Sequence, residues 1–184
     1  MHLYWDGTYG ACCSERMPPI GTKYNIKNTS LINWYSSDTI KSFRSRILSD
    51  NQLPECNGCY IEESNGHESR RIKENFKSVI FTEQAFDKSF EQSPWYDYFT
   101  ENTDILPIDW HIDFGNECNL ACKFCGPTAS SKIAAAEILA GNYTGPARMN
   151  WTENENTWRS VSDSVCQTPN LKFVHIIGGE TLLN

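Results

Sequence analysis

Cys118, Cys122 and Cys125 lie in the run Glu-Cys-Asn-Leu-Ala-Cys-Lys-Phe-Cys, three thiols crowded onto one short stretch. Three thiolates at such spacings can hold three corners of a cubane iron–sulfur cluster, which needs ligands a few ångströms apart. No fourth cysteine lies nearby, so one iron would stay open to a small-molecule ligand. Gly178, Gly179 and Glu180 follow further along: glycines let a backbone approach a ligand closely, and a carboxylate complements an ammonium group. A structural zinc site is the alternative use of the same thiols, with Cys166 or His111 as fourth ligand. Zinc knuckles pair Cys-x2-Cys elements, and this triplet has none beside it. Cys166 otherwise reads as a plain thiol.

Four further cysteines come early: Cys12, Cys13, Cys56 and Cys59. Nothing in the first residues has the basic flank and apolar core of a secretion signal. Eight cysteines in such a chain suggest metal ligands before disulfides and a cytoplasmic setting. The formal charge of −7 argues against a broad nucleic-acid surface. The basic group Arg70, Arg71 and Lys73 reads as a solvated helix face. No apolar run approaches the roughly 18 residues of a membrane span.

Elements must position these groups. Residues His2 to Trp5 and Thr8 to Cys13 read as a hairpin about Asp6-Gly7. Residues 14–29 read as loop, and residues 30–50 as helical, with Asp38 able to cap Thr39 to Leu48. Cys56-Asn-Gly-Cys59 reads as a tight knuckle, followed by a polar helix through about Lys77. Residues 81–106 read as a linker. In Ile108 to Phe114, apolar residues alternate with Asp109, His111 and Asp113, the period of a strand with one polar face. Those polar residues and His175 either line a cavity and touch substrate or are satisfied polar groups of the interior. A helix capped by Thr128 or Ser130 and ended by Gly141 follows, its start well placed to stabilise an anionic cluster. Residues 143–155 read as a polar insertion. Leu171 to Ile177 suits a buried parallel strand ending at the Gly-Gly-Glu. The expectation is an α/β chain with its functional residues beyond the carboxyl ends of parallel strands.

The pairing of Cys-x3-Cys-x2-Cys with a Gly-Gly-Glu strand end resembles the radical S-adenosylmethionine enzymes. The resemblance implies a 4Fe–4S cluster on Cys118, Cys122 and Cys125, its open iron binding the amino and carboxylate groups of S-adenosylmethionine. An electron from the cluster then cleaves the sulfonium to methionine and a 5′-deoxyadenosyl radical, which abstracts hydrogen from a substrate. By position, Phe124 matches the residue whose backbone meets the adenine, and Gly178, Gly179 and Glu180 match the segment that receives the methionine amino group.

The early cysteines, after Gly7, resemble the SPASM or twitch auxiliary-cluster region of radical maturases, placed here before the barrel rather than after it. That resemblance implies a second 4Fe–4S cluster on Cys12, Cys56 and Cys59, with Cys13 as fourth ligand; zinc on the same four is the alternative. It also implies a peptide or small-molecule substrate and a reductant such as flavodoxin or ferredoxin, with no nucleic acid or membrane as partner. The expected organisation is an auxiliary region over residues 1–80, a linker over 81–106, and the first β-α-β part of a partial β/α barrel over 107–184. The resembled barrel has about six strand–helix units, so the chain is expected to be a fragment of a longer protein or one half of a split one. Two other functions fit the same residues: a non-catalytic iron–sulfur electron-transfer or binding module, and a zinc-stabilised interaction domain.

Overall fold

The alternating stretch forms a strand, Asp109–Asp113, whose Trp110 and Ile112 are buried while Asp109, His111 and Asp113 are half-buried. The computed structural model describes residues 1–12, 24–49, 52–74, 106–169 and 171–181. Within them the strands are β1 (His2–Leu3), β2 (Tyr9–Gly10), β3 (Asp109–Asp113) and β4 (Phe173–Ile177), in the sheet order β2-β1-β3-β4. The molecule is therefore mixed α/β. The expected hairpin is present: β1 and β2 are antiparallel, and Gly7 takes the left-handed conformation their turn requires (φ 82°). Asp6 secures the turn by accepting from the Thr8 amide at 2.9 Å and its hydroxyl at 2.6 Å.

Both β1 and β4 pair with β3 in parallel, with His2 opposite His111 and His111 opposite His175. Side chains alternate across a strand, so Leu3, Trp110 and Ile112 share the core face and the three histidines share the other. Against the core face pack Leu31, Trp34 and Tyr35 of α1 (Leu31–Tyr35), Ile40 at the start of α2 (Asp38–Leu48), Ile26, Trp151 and Val161. Tyr9 and Trp34 stack at 4.8 Å, and Tyr35 meets Trp110 edge-on. The Tyr9 hydroxyl donates to the Thr29 carbonyl at 2.6 Å, and burial pushes its pKa up.

The crossover from β3 to β4 contains more than the one helix expected. Helix α3 is Asn57–Ser64, α4 is Ser131–Leu139 and α5 is Glu155–Cys166, the last two lying in the crossover. Ser130 caps α4 as expected, and Gly141 follows its end in the left-handed region. Yet α4 buries only Ala134, while Leu139 is 89 % exposed. It is α5 that contributes Thr157, Val161 and Ser164 to the interior. Its buried hydroxyls read as polar in sequence, but Ser164 donates to its own helix at Ser160 O and Thr168 to Ser164 O, each at 2.7 Å. Satisfied this way, they are cheap to bury.

The chain divides into two compact units. The first comprises residues 1–15, 19–40 and 106–184; the second comprises 16–18 and 41–105. The expected split at residues 80 and 106 differs from this, because β1 joins the sheet of β3. In the second unit a 3-10 turn, Pro54–Cys56, leads into α3, so Cys56 and Cys59 stand at a helix start instead of on a knuckle. The expected helix through Lys77 breaks at Gly66 (φ 78°) and resumes at residues 70–74. Lys77 itself, Cys13 and residues 81–105 of the expected linker lie outside the described residues. Arg46 holds Glu55 by two bonds of 2.7 Å, and Arg71 holds Glu63, which keeps both carboxyls below their usual range. Arg71 thus belongs to an ion pair and Arg70 to another with Glu74, as suits a solvated face. Among the described residues no helix is long and apolar enough to cross a membrane.

Candidate functional site

The cysteine loop hangs from one buried amide. Asn116, fully buried just beyond β3, donates through Nδ2 to Pro127 O at 3.0 Å and Ala147 O at 3.1 Å. Its Oδ1 accepts from the Met149 amide at 2.7 Å. These bonds join the two ends of the loop to the 143–155 stretch, which is a strap across the loop and no mere insertion. Glu117 adds to the strap, accepting from Arg148 at 2.7 Å and Asn150 at 3.1 Å, and the Arg148 guanidinium holds its carboxyl low. Asn116→Ala leaves two carbonyls and an amide without partners, so a loss of about 2–4 kcal/mol in denaturant unfolding is expected.

The start of α4 is stitched to the same loop. Ser131 Oγ accepts from the Cys118 amide at 3.1 Å, and Ser130 Oγ donates to Leu120 O at 2.7 Å. Cys118, Cys122 and Cys125 are all free and partly exposed. Burial first, then the neighbouring Cys122 and Cys118, pushes the Cys125 thiol up. Crowded thiols resist ionising together unless cations bind them, which is the condition a metal cluster meets. Phe124 projects outward, 92 % exposed.

The strand end closes onto this loop. The Gly179 amide donates to Gly115 O at 3.0 Å and the Glu180 amide to Glu117 O at 2.7 Å. A Cβ on Gly179 would lie 2.3 Å from the Glu117 carbonyl oxygen, and one on Gly178 2.9 Å from that of Gly115. Gly178 also has φ 142°, so neither position admits a side chain without moving backbone. The structure thus brings Gly178, Gly179 and Glu180 against the residues that lead into Cys118.

Asp113 sits at this junction, accepting from the Gly115 amide at 3.1 Å. Burial lifts its carboxyl to about 6, with the Asp6 charge adding and the Gly115 bond opposing. A raised carboxyl pKa means that the folded state holds the proton more tightly than the unfolded one. Its stabilising contribution is present below about pH 4 and is lost as pH rises to about 6. Asp113→Asn should therefore gain about 1–2 kcal/mol over the natural chain at pH 8 and nothing at pH 4, read as the difference between two denaturation series.

Down the same polar face, Asp109 faces two imidazoles. Its Oδ1 lies 3.3 Å from His111 Nε2 and its Oδ2 3.4 Å from His175 Nε2. The His111 and His175 rings stack at 4.3 Å, and His2 stacks on His111 at 5.9 Å. Burial works to raise the Asp109 carboxyl, but contact with His111 and the charges of the amino terminus and His175 outweigh it and hold it low. Among the described residues, Asp109, His111 and His175 are the one group of three whose metal-ligating atoms all come within 4.8 Å of one another.

Among the described residues, neither the three cysteines alone nor any of them with His111 or Cys166 forms a group of three whose ligating atoms come within 4.8 Å of one another, so the loop would have to draw its sulfurs closer to hold a cluster. Cys12 belongs to the first unit, and Cys56 and Cys59 to the second. Sequence reading missed Asn116 and the 143–155 strap, whose signal is spread over residues far apart in the chain. It grouped His111 and His175 with Asp109 but missed His2, whose place in the same row only strand register reveals. No family model, curated protein or solved structure matches this chain.

Proposed function

We propose that this chain carries the cluster- and cofactor-binding part of a radical S-adenosylmethionine enzyme. One observation carries the reading: the Gly178–Glu180 backbone is hydrogen-bonded to Gly115 and Glu117, immediately before the cysteine triplet. Three free thiols on one loop, whose sulfurs the loop would draw closer on binding, and a strand end whose two glycines exclude side chains support a 4Fe–4S cluster with S-adenosylmethionine beside it. When bound, the cluster supplies the electron for reductive cleavage of S-adenosylmethionine.

The chain's own residues have defined parts in this reading. Cys118, Cys122 and Cys125 hold the irons, and the Asn116 and Ser131 bonds fix the loop that presents them. Gly178, Gly179 and Glu180 receive the methionine amino group, and the Phe124 backbone meets the adenine. Asp113, its pKa near 6, can hold or release a proton at the inner edge of the site. The parallel pair β3 and β4, with α4 and α5 between them, is then the opening part of a partial β/α barrel. The substrate is a peptide or protein, a class supported by the auxiliary-region likeness of Cys12, Cys13, Cys56 and Cys59, and the reductant is a flavodoxin or ferredoxin.

The test is anaerobic reconstitution with iron and sulfide, followed by electron paramagnetic resonance of the reduced protein. A signal that changes on adding S-adenosylmethionine is the expected result. A cluster indifferent to S-adenosylmethionine would indicate an electron-transfer or binding module instead. Colourless protein with stoichiometric zinc and no iron would sink the cluster altogether.

A further inference from the structure

The polar face of the sheet offers ligand chemistry that the cysteine loop does not use. His111 and His175 stand directly opposite each other on adjacent parallel strands, so their rings lie side by side, 4.3 Å apart and 14° from parallel. Asp109 begins β3 two residues before His111, and side-chain alternation puts both on the same face. Its two carboxylate oxygens approach one imidazole each, at 3.3 and 3.4 Å. The Oδ1 atom is buried and no donor meets it in hydrogen-bond geometry. A buried carboxylate oxygen so placed is satisfied by a cation as well as by a donor.

We propose that Asp109, His111 and His175 bind one divalent first-row transition-metal ion, of the zinc or ferrous type. Two imidazole nitrogens and one carboxylate are the donor set such ions take with positions left open. The ligand atoms already lie within 4.8 Å of one another, so side-chain rotation alone can bring them to bonding distance. Two strands of one hydrogen-bonded sheet carry them, which removes most of the entropy of assembling the site. His2, stacked on the outer side of His111, restrains that ring without belonging to the group. Asp113 lies two residues beyond His111 on the same face, about 7 Å along β3, so the group shares that face of the sheet with the cysteine-loop junction. The ion would act as a Lewis acid on a donor group entering there, such as a carbonyl or carboxylate. The site is independent of the radical reading and stands or falls separately from it.

Cobalt(II) is the probe, because it reports its ligands. Thiolate ligands give intense charge-transfer absorption in the near ultraviolet, whereas imidazole and carboxylate ligands give only weak visible bands. The full chain is titrated beside His175→Ala and Asp109→Asn, with tryptophan fluorescence confirming that each is folded. His175 is about half exposed on the edge strand, so its replacement leaves the core untouched, and His175→Gln gives a second variant of similar shape. The difference between natural and variant chains should be one cobalt equivalent, with no sulfur charge transfer. Affinity for that equivalent should fall about 100-fold or more, since even outer-shell changes cost 10–100-fold. Equal stoichiometry and spectra in natural and variant chains would overturn the site, leaving an Asp–His contact only. A difference carrying the sulfur band would overturn it too, by showing that the ion sits on cysteines.

Discussion

Cys122→Ala should strip the reconstituted chain of the visible absorbance and iron owed to the cysteine loop. A 4Fe–4S cluster with three protein ligands has no spare thiol to replace a lost one, and the two remaining thiols cannot hold the cube. Cys122 is partly exposed and its sulfur lies outside the aromatic core, so the change in unfolding free energy should stay within about 0.5 kcal/mol. Loss of cluster without loss of fold is the expected pair of results. The early cysteines complicate iron counting, since they are the proposed ligands of a second cluster. The measurement is therefore made in a Cys56→Ala/Cys59→Ala background, where two early thiols cannot hold a cube and any remaining cluster belongs to the late triplet. Iron content and spectrum unchanged by Cys122→Ala in that background would refute the ligand assignment.

Gly179→Ala is expected to destabilise strongly for a single added methyl group. Its Cβ would stand 2.3 Å from the Glu117 carbonyl oxygen and 2.8 Å from the carbonyl carbon, and these are backbone atoms with no rotamer to escape into. The strand end would have to lift, which breaks the Gly179–Gly115 and Glu180–Glu117 bonds together. Overpacking and lost buried bonds of this kind cost about 2–4 kcal/mol. Gly126, in the cysteine loop itself, has nothing within 4 Å of its Cβ position. Gly126→Ala should then be nearly neutral. In the proposed enzyme, Gly179→Ala retains the cluster but loses the spectral response to S-adenosylmethionine, because the lifted strand end no longer meets the cofactor. Equal stability of the two alanine variants would show that the strand end does not seat on the cysteine loop.

Some of this architecture was legible in single residues. Alternation in Ile108 to Phe114 marked β3, because one wet and one dry face leave a period of two. Asp6-Gly7 marked the hairpin, because a tight turn needs a left-handed residue. Ser130 and Gly141 marked the ends of α4 by their capping chemistry. Helix α5 escaped notice because its buried positions include Thr157 and Ser164, whose hydroxyls look polar until a carbonyl of the same helix is found to receive one of them. The helical stretch expected over residues 30–50 is two helices, α1 and α2, the second beginning at Asp38, where a cap was expected.

Sequence by itself determined that Cys118, Cys122 and Cys125 share one short loop, but not how close their sulfurs come, since the loop's conformation sets that. It determined as well that Gly178 and Gly179 could lie against another backbone, since they carry no Cβ. Tertiary structure alone decided which backbone: residues 115–117, reached because β3 and β4 pair in parallel and end together. It decided also that His2, His111 and His175 form one row, a matter of strand register, in which a slip of one residue would turn a histidine to the opposite face.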